Sequence, residues 1–188
     1  MKVILASNSP RRRELLSEIF EEFEILPQNV IEKCKYTRPD LIVKSLAKIK
    51  LGNLPIEKKE CLIISADTIV YKDGKIYGKP KDKSQAKEFL RELNGDKHLV
   101  YTGVAIYFNG KIYSFFDRSA VLFNRLSEED IEEYVNGGSP MDKAGAYGIQ
   151  DEEVVAAYKG SYTNIVGLPM EKLRDKLDVI LKNATERV

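Results

Sequence analysis

The chain has 188 residues, 43% of them hydrophobic and 31% charged, and its 30 Lys and Arg balance 29 Asp and Glu to a net charge of +1. That length suits one domain over 1–188 with a substantial core, and the near-zero charge removes any global electrostatic case for nucleic-acid or membrane binding. With no secretory or membrane-spanning apolar run, and with Cys34 and Cys61 outside any zinc or redox spacing, the sequence reads as a cytoplasmic protein with reduced thiols.

Strand-like and helix-like segments alternate, which predicts an α/β fold, and one domain folded as two lobes around a cleft is the simplest account. Residues 2–6 read as a buried strand, and 10–23 as a helix whose stripe Leu15, Leu16, Ile19, Phe20 repeats at helical spacing. A strand over 24–30 follows. The next helix runs to Leu51 and is opened by Thr37-Arg38-Pro39-Asp40, which has capping-box chemistry. Residues 62–66 form a second buried strand ending at Asp67, and Asp73-Gly74 turns a tight hairpin onto 75–77. A helix over 84–93 stops at Asn94-Gly95. Asn109-Gly110 joins 98–108 to 111–116 as a β-hairpin, with 119–123 a further strand. Ser127 caps a helix that ends at Asn136-Gly137-Gly138; 154–158 is a short strand and 169–181 the closing helix.

The first helix carries an unexpected charge pattern. Ser7-Asn8-Ser9-Pro10-Arg11-Arg12-Arg13 crowds cations onto a helix N-terminus, where the macrodipole is already positive and carboxylates are preferred. Ser9 suits the N-cap and Pro10 the first helical position. An anion docked there would convert this repulsion into binding, which points to a phosphate-binding strand–loop–helix. A solvated run or a generic nucleic-acid patch remains the alternative, and the absence of glycines excludes a Walker A or dinucleotide loop.

Other candidates are single residues. Asp67, leaving an apolar strand, can hold Mg²⁺ or accept a proton from water, or can simply cap a turn. Lys79 in Gly78-Lys79-Pro80, and Lys48 and Lys50 on the second helix, can meet a phosphate or face solvent. His98, the only histidine, begins an apolar run and reads as structural. Small residues in Lys143-Ala144-Gly145-Ala146-Tyr147-Gly148-Ile149 would let backbone approach a ligand, and Gln150 can pair with an amide-like base edge; close packing of a turn explains them equally.

The order of these blocks is more specific than any one of them. Ser7-Asn8-Ser9-Pro10-Arg11-Arg12, Ala66-Asp67-Thr68-Ile69-Val70, Gly78-Lys79-Pro80, Tyr101-Thr102-Gly103-Val104-Ala105, Lys143 through Gln150, and Gly160-Ser161-Tyr162-Thr163-Asn164-Ile165-Val166-Gly167-Leu168-Pro169 together resemble the Maf family of nucleoside triphosphate pyrophosphatases. The resemblance implies a fold similar to inosine-triphosphate pyrophosphatases, a mixed twisted sheet flanked by helices in two lobes around a cleft, often dimeric, so that a homodimer is expected. It also implies metal-dependent hydrolysis of a nucleoside triphosphate to the monophosphate and diphosphate. Asp67 would be the proton acceptor and Lys50 a second catalytic residue; Ser7, Arg11, Arg12, Thr68, Lys79 and Gln150 would bind substrate. A divalent ion, Mg²⁺ or Mn²⁺, would sit on Asp67 and Glu32. The block ending in Gln150 looks like the branch acting on dTTP and UTP, with Arg11, Thr68 and Gln150 at its specificity positions. The chain departs from the family pattern at Asp151-Glu152-Glu153, where many relatives have glycines, and at Asn94, which replaces a frequent serine. The competing expectation is a non-catalytic nucleotide-binding regulator of cell division or septum formation.

Overall fold

A computed structural model describes residues 1–27, 30–31, 33–52, 61–138 and 140–185, the side chains of the last two excepted. In chain order the elements are β1 (Lys2–Leu5), α1 (Pro10–Ser17), β2 (Glu24–Ile25), α2 (Pro39–Leu51), β3 (Cys61–Lys72), β4 (Lys75–Tyr77), α3 (Lys83–Leu93), β5 (Lys97–Phe108), β6 (Lys111–Phe123), α4 (Glu128–Gly137), β7 (Val155–Lys159), α5 (Tyr162–Val166) and α6 (Met170–Thr185). The strands form one mixed sheet of order β2-β1-β3-β5-β6-β7, with β4 paired to β3. β1 is parallel to β2 and β3, whereas the β3–β4 and β6–β7 pairs are antiparallel. The expected mixed sheet flanked by helices is therefore present. None of the described helices is long and apolar enough to cross a membrane.

The chain divides into two compact units: residues 1–67, 102–117 and 167–188 make the first, and 68–101 with 118–166 the second. In the first, α2 buries Ala47 and Leu51 against Ile4, Ala6, Cys61, Ile63 and Ala105. In the second, α3 turns Ala86, Phe89, Leu90 and Leu93 into a core shared with Val100, Val121, Phe123 and Ile131.

Turn and cap chemistry accounts for most boundaries. Asp73 and Gly74 have φ of +48° and +86°, and Asn109 and Gly110 +46° and +77°, the left-handed pairs that two-residue hairpins need. Ser127 and Asp130 close a reciprocal capping box at the start of α4. Ser9 caps α1, accepting from the Arg12 N–H, with Pro10 in its first turn.

Five expectations are corrected. α1 is shorter than 10–23: the N–H groups of Glu18 and Ile19 turn back three residues to the carbonyls of Leu15 and Leu16, closing the helix tightly. The strand over 24–30 is only Glu24–Ile25, with Gln28 and Asn29 outside the described residues. The cap of α2 is Arg38 rather than Thr37 and makes no side-chain cap bond; its guanidinium instead holds Asp40 at 3.1 Å. β3 does not end at Asp67 but continues through the β-branched Thr68, Ile69 and Val70 to pair with β4. The segments 111–116 and 119–123 are one strand, because Asp117 finds Lys172 of α6 at 2.6 Å and need not break the ladder. The short helix α5 has no sequence expectation behind it.

His98 lies in the core of the second unit. Its ring meets Phe123 and Tyr147 edge-on at 4.8 and 5.3 Å, and Nε2 shares a 2.7 Å hydrogen bond with the Tyr147 hydroxyl. Burial, followed by the nearby Lys72 charge, pushes its pKa down to about 4. The unfolded chain protonates His98 near pH 6.5 and the folded chain only near pH 4, so stability falls as pH drops through that window and is fully present above it. The loss reaches about 3 kcal/mol over the full window. Urea unfolding at pH 7 and pH 4.5 should therefore show a smaller acid loss in His98→Gln than in the parent; equal losses would contradict the account.

Candidate active site

Strand alternation builds the centre of the first unit. Cys61, Ile63, Ser65 and Asp67 are every second residue of β3 and so share one face. Cys61 and Ile63 pack with Ala47 and Leu51 of α2, and the Ser65 hydroxyl donates to the Ala47 carbonyl at 2.7 Å. Lys50, three residues beyond Ala47, projects from the same face of α2 and its ammonium pairs with the Asp67 carboxylate. Their side chains are only 18% and 11% exposed, so water screens this pair weakly. Asp67 is thus a strand-borne carboxylate held by a lysine rather than a turn cap. Gly103 on β5 makes the helix placement possible: a Cβ there would fall 2.3 Å from the carbonyl carbon and oxygen of Val43 in α2.

The arginine-bearing helix starts from the neighbouring strand. The Ala6 N–H donates to the Ile64 carbonyl at 2.8 Å, carrying the β1–β3 register, in which Leu5 faces Ile64, one residue further. Ser7 consequently leaves β1 beside the segment that leads into Asp67, at the carboxyl end of a parallel strand, where α/β folds place their ligands. Ser7 Oγ accepts from the Ser9 N–H and from Arg12 Nη1, both at 3.3 Å, and Arg12 Nε donates to the Gly167 carbonyl at 2.8 Å. Arg12 is therefore aimed by two fixed acceptors. Arg11 is half-buried and Arg13 exposed, so the triplet divides as its position on a helix end would require.

The remaining candidates belong to the second unit. Thr68 is half-buried, while Lys79 and Gln150 are exposed. The Gly145 N–H donates to the Gly78 carbonyl at 3.0 Å, which ties the Gly78-Lys79-Pro80 turn to the segment leading to Gln150. Gly148, two residues before Gln150, is bound through its N–H to the Asp151 carboxylate at 2.9 Å.

Two contributions went unread in the sequence. In the final block, buried Asn164 donates to Ser119 Oγ at 2.9 Å and to the Val100 carbonyl at 3.2 Å, which fastens α5 to β5 and β6. The Gly167 carbonyl orients Arg12, and no side-chain pattern could have announced a backbone acceptor. Lys143, at the head of the block that leads to Gln150, has a side chain only 12% exposed that pairs with Asp142 at 3.0 Å.

A Mg²⁺ site needs one or two protein carboxylates when phosphate oxygens complete the shell. Asp67 supplies one such oxygen donor, and Glu32, the other expected ligand, lies outside the described residues. Among the described residues no group of three or more His, Cys, Asp or Glu could hold a metal.

A lysine-paired carboxylate on a strand, beside a serine- and arginine-bearing helix start, marks the first unit of this α/β protein. The family described as "Maf-like protein" matches residues 2–180, and the chain belongs to it. Curated relatives named dTTP/UTP pyrophosphatase include those of Thermosipho africanus, 42% identical over 94% of this chain and 92% of the relative, and of Bacillus anthracis, 44% identical over 92% of each. That of Carboxydothermus hydrogenoformans is 42% identical over 94% of this chain and 97% of its own. Among solved structures, the Staphylococcus aureus Ham1 protein aligns with a TM-score of 0.47 at 11% identity, covering 65% of this chain and 72% of that one.

Proposed function

We propose that this protein hydrolyses dTTP and UTP to the monophosphate and pyrophosphate. The observation that carries the reading is the Lys50–Asp67 pair, set where Ser7 leads from β1 into the arginine-bearing helix α1. Relatives bearing the dTTP/UTP pyrophosphatase name over nearly the whole chain support it.

The chemistry follows from the residues. Arg11 and Arg12, with the N-terminus of α1, bind phosphate oxygens and offset charge on the leaving pyrophosphate. Lys79 adds a further cation for phosphate. Asp67, kept in place by Lys50, takes a proton from the water that attacks the α-phosphorus. The new bond joins that water oxygen to the α-phosphorus; the bond to the α–β bridging oxygen breaks, and its electrons leave with pyrophosphate. A divalent ion, Mg²⁺ or Mn²⁺, held by Asp67 and Glu32 would supply Lewis-acid stabilisation of the phosphoryl charge. Thr68 and Arg11 contribute to substrate selection, and Gln150 reads the pyrimidine, its amide matching O4 and N3–H together.

The direct test is pyrophosphate release from a panel of nucleoside triphosphates with Mg²⁺, with and without chelator. dTTP and UTP should be turned over fastest, and chelation should abolish the activity reversibly. Tight nucleotide binding with no pyrophosphate would replace the enzyme with a nucleotide-binding regulator. Gln150→Ala should lose about 10-fold more kcat/KM on dTTP and UTP than on purine triphosphates, the size of one or two lost hydrogen bonds. Equal losses would remove its role in reading the base.

A further inference from the structure

Asp151 follows Gln150 directly and is half-buried, in an environment unlike that of a solvated loop carboxylate. Its Oδ2 accepts from the Tyr134 hydroxyl at 2.5 Å and from the Gly148 N–H at 2.9 Å, and the Tyr134 hydroxyl itself lies 3.3 Å from that N–H. The Asp151 backbone is engaged as well: its N–H donates to the Gly148 carbonyl at 3.2 Å, and its carbonyl accepts from Val154 and Val155, each at 2.9 Å. Tyr134 belongs to α4, which buries Ile131, Tyr134 and Val135 in the core of the second unit and is fixed at its start by the Ser127 capping box. The carboxylate therefore bolts the turn before Gln150 to a rigid helix.

Gln150, itself exposed, lies over the same turn. A Cβ built on Gly148 would lie 2.4 Å from Gln150 Nε2 and 2.7 Å from Asp151 Oδ2, so the amide folds back over the Gly148 backbone that Asp151 holds.

We propose that Asp151 is a positioning residue for pyrimidine recognition: through Gly148 and Tyr134 it sets the turn that presents the Gln150 amide. The proposal rests on the reading of Gln150 as the base-recognising residue. Asp151 touches no reacting atom, so its loss should act on affinity and discrimination rather than on the chemical step.

The experiment measures kcat and KM for dTTP, UTP and dATP in the parent chain, Asp151→Ala, Asp151→Asn, Gln150→Ala and the Asp151→Ala/Gln150→Ala double variant, with urea unfolding of each. In Asp151→Ala, KM for dTTP and UTP should rise about tenfold with kcat reduced less than about threefold, as expected when a preorganised contact is loosened. Asp151→Asn, which keeps an oxygen acceptor for Tyr134 and Gly148, should recover most of the KM. The double variant should be no worse in pyrimidine discrimination than Gln150→Ala alone, because both act through one amide. Additive losses, or equal KM changes on dTTP and dATP, would overturn the positioning role. Unchanged discrimination in Gln150→Ala would instead overturn the base-reading role on which it stands. A folding defect alone would appear as lowered unfolding midpoints with KM unaltered, and would likewise overturn the proposal.

Discussion

Asp67→Asn is expected to lower turnover of dTTP and UTP by about 10²–10⁴-fold, the range associated with removing a positioned general base. The substitution is isosteric and retains an oxygen that can accept from Lys50, so it leaves α2 tethered to β3 while removing the proton acceptor. Nucleotide affinity, measured by calorimetry, should change far less than kcat, because the arginines of α1 and Lys79 are untouched. Turnover within a few-fold of the parent would remove Asp67 from the reaction. A large loss of folding stability accompanying the kinetic loss would show instead that the Lys50–Asp67 pair serves mainly to hold the unit together, since breaking a largely buried pair leaves an uncompensated charge.

Gly103→Ala is expected to damage both stability and catalysis although Gly103 has no side chain with which to reach Lys50 or Asp67. The added methyl would meet Val43 carbonyl atoms at 2.3 Å and the Lys44 nitrogen at 2.7 Å, all of them backbone, which cannot swing aside as a side-chain tip can. α2 must therefore lift from β5, at a cost of about 1–3 kcal/mol for overpacking a tight contact. The same displacement carries Lys50, two turns further along α2, away from Asp67. A shift of roughly 1 Å in such a group can reduce turnover by about 10²-fold. Urea unfolding and steady-state kinetics on the one variant test both parts; a parent-like midpoint with parent-like kcat would show that the helix is not braced on this glycine.

Local chemistry was well recorded along the chain. Ser9-Pro10 starts α1, the Asp73-Gly74 and Asn109-Gly110 turns join their strands, and Ser127 with Asp130 opens α4, each through contacts within a few residues. Where a partner lies far along the chain, the pattern misleads. Asp67 reads as the end of a strand because a charge follows an apolar run, yet Lys50 accommodates that charge and β3 continues. Asp117 reads as a break in the same way, and Lys172 absorbs it. The first helix stops sooner than its apolar stripe suggests, because a tight closing turn ends it while Ile19 and Phe20 remain half-buried beyond.

The candidate site divides along the same line. Sequence alone determined the types of residue available: an arginine-laden helix start, an aspartate after an apolar strand, isolated lysines, and a glutamine behind small residues. Their order also determined the family. Tertiary structure decided which of them act together, because pairing Lys50 with Asp67 depends on the two-residue period of β3 meeting the helical period of α2 across a contact that only Gly103 permits. It likewise decided that Arg12 is aimed by the Gly167 carbonyl and that Asp151 braces the approach to Gln150. The roles of a backbone carbonyl and a loop carboxylate cannot be read from sequence, since they arise from the distance to groups brought near by folding.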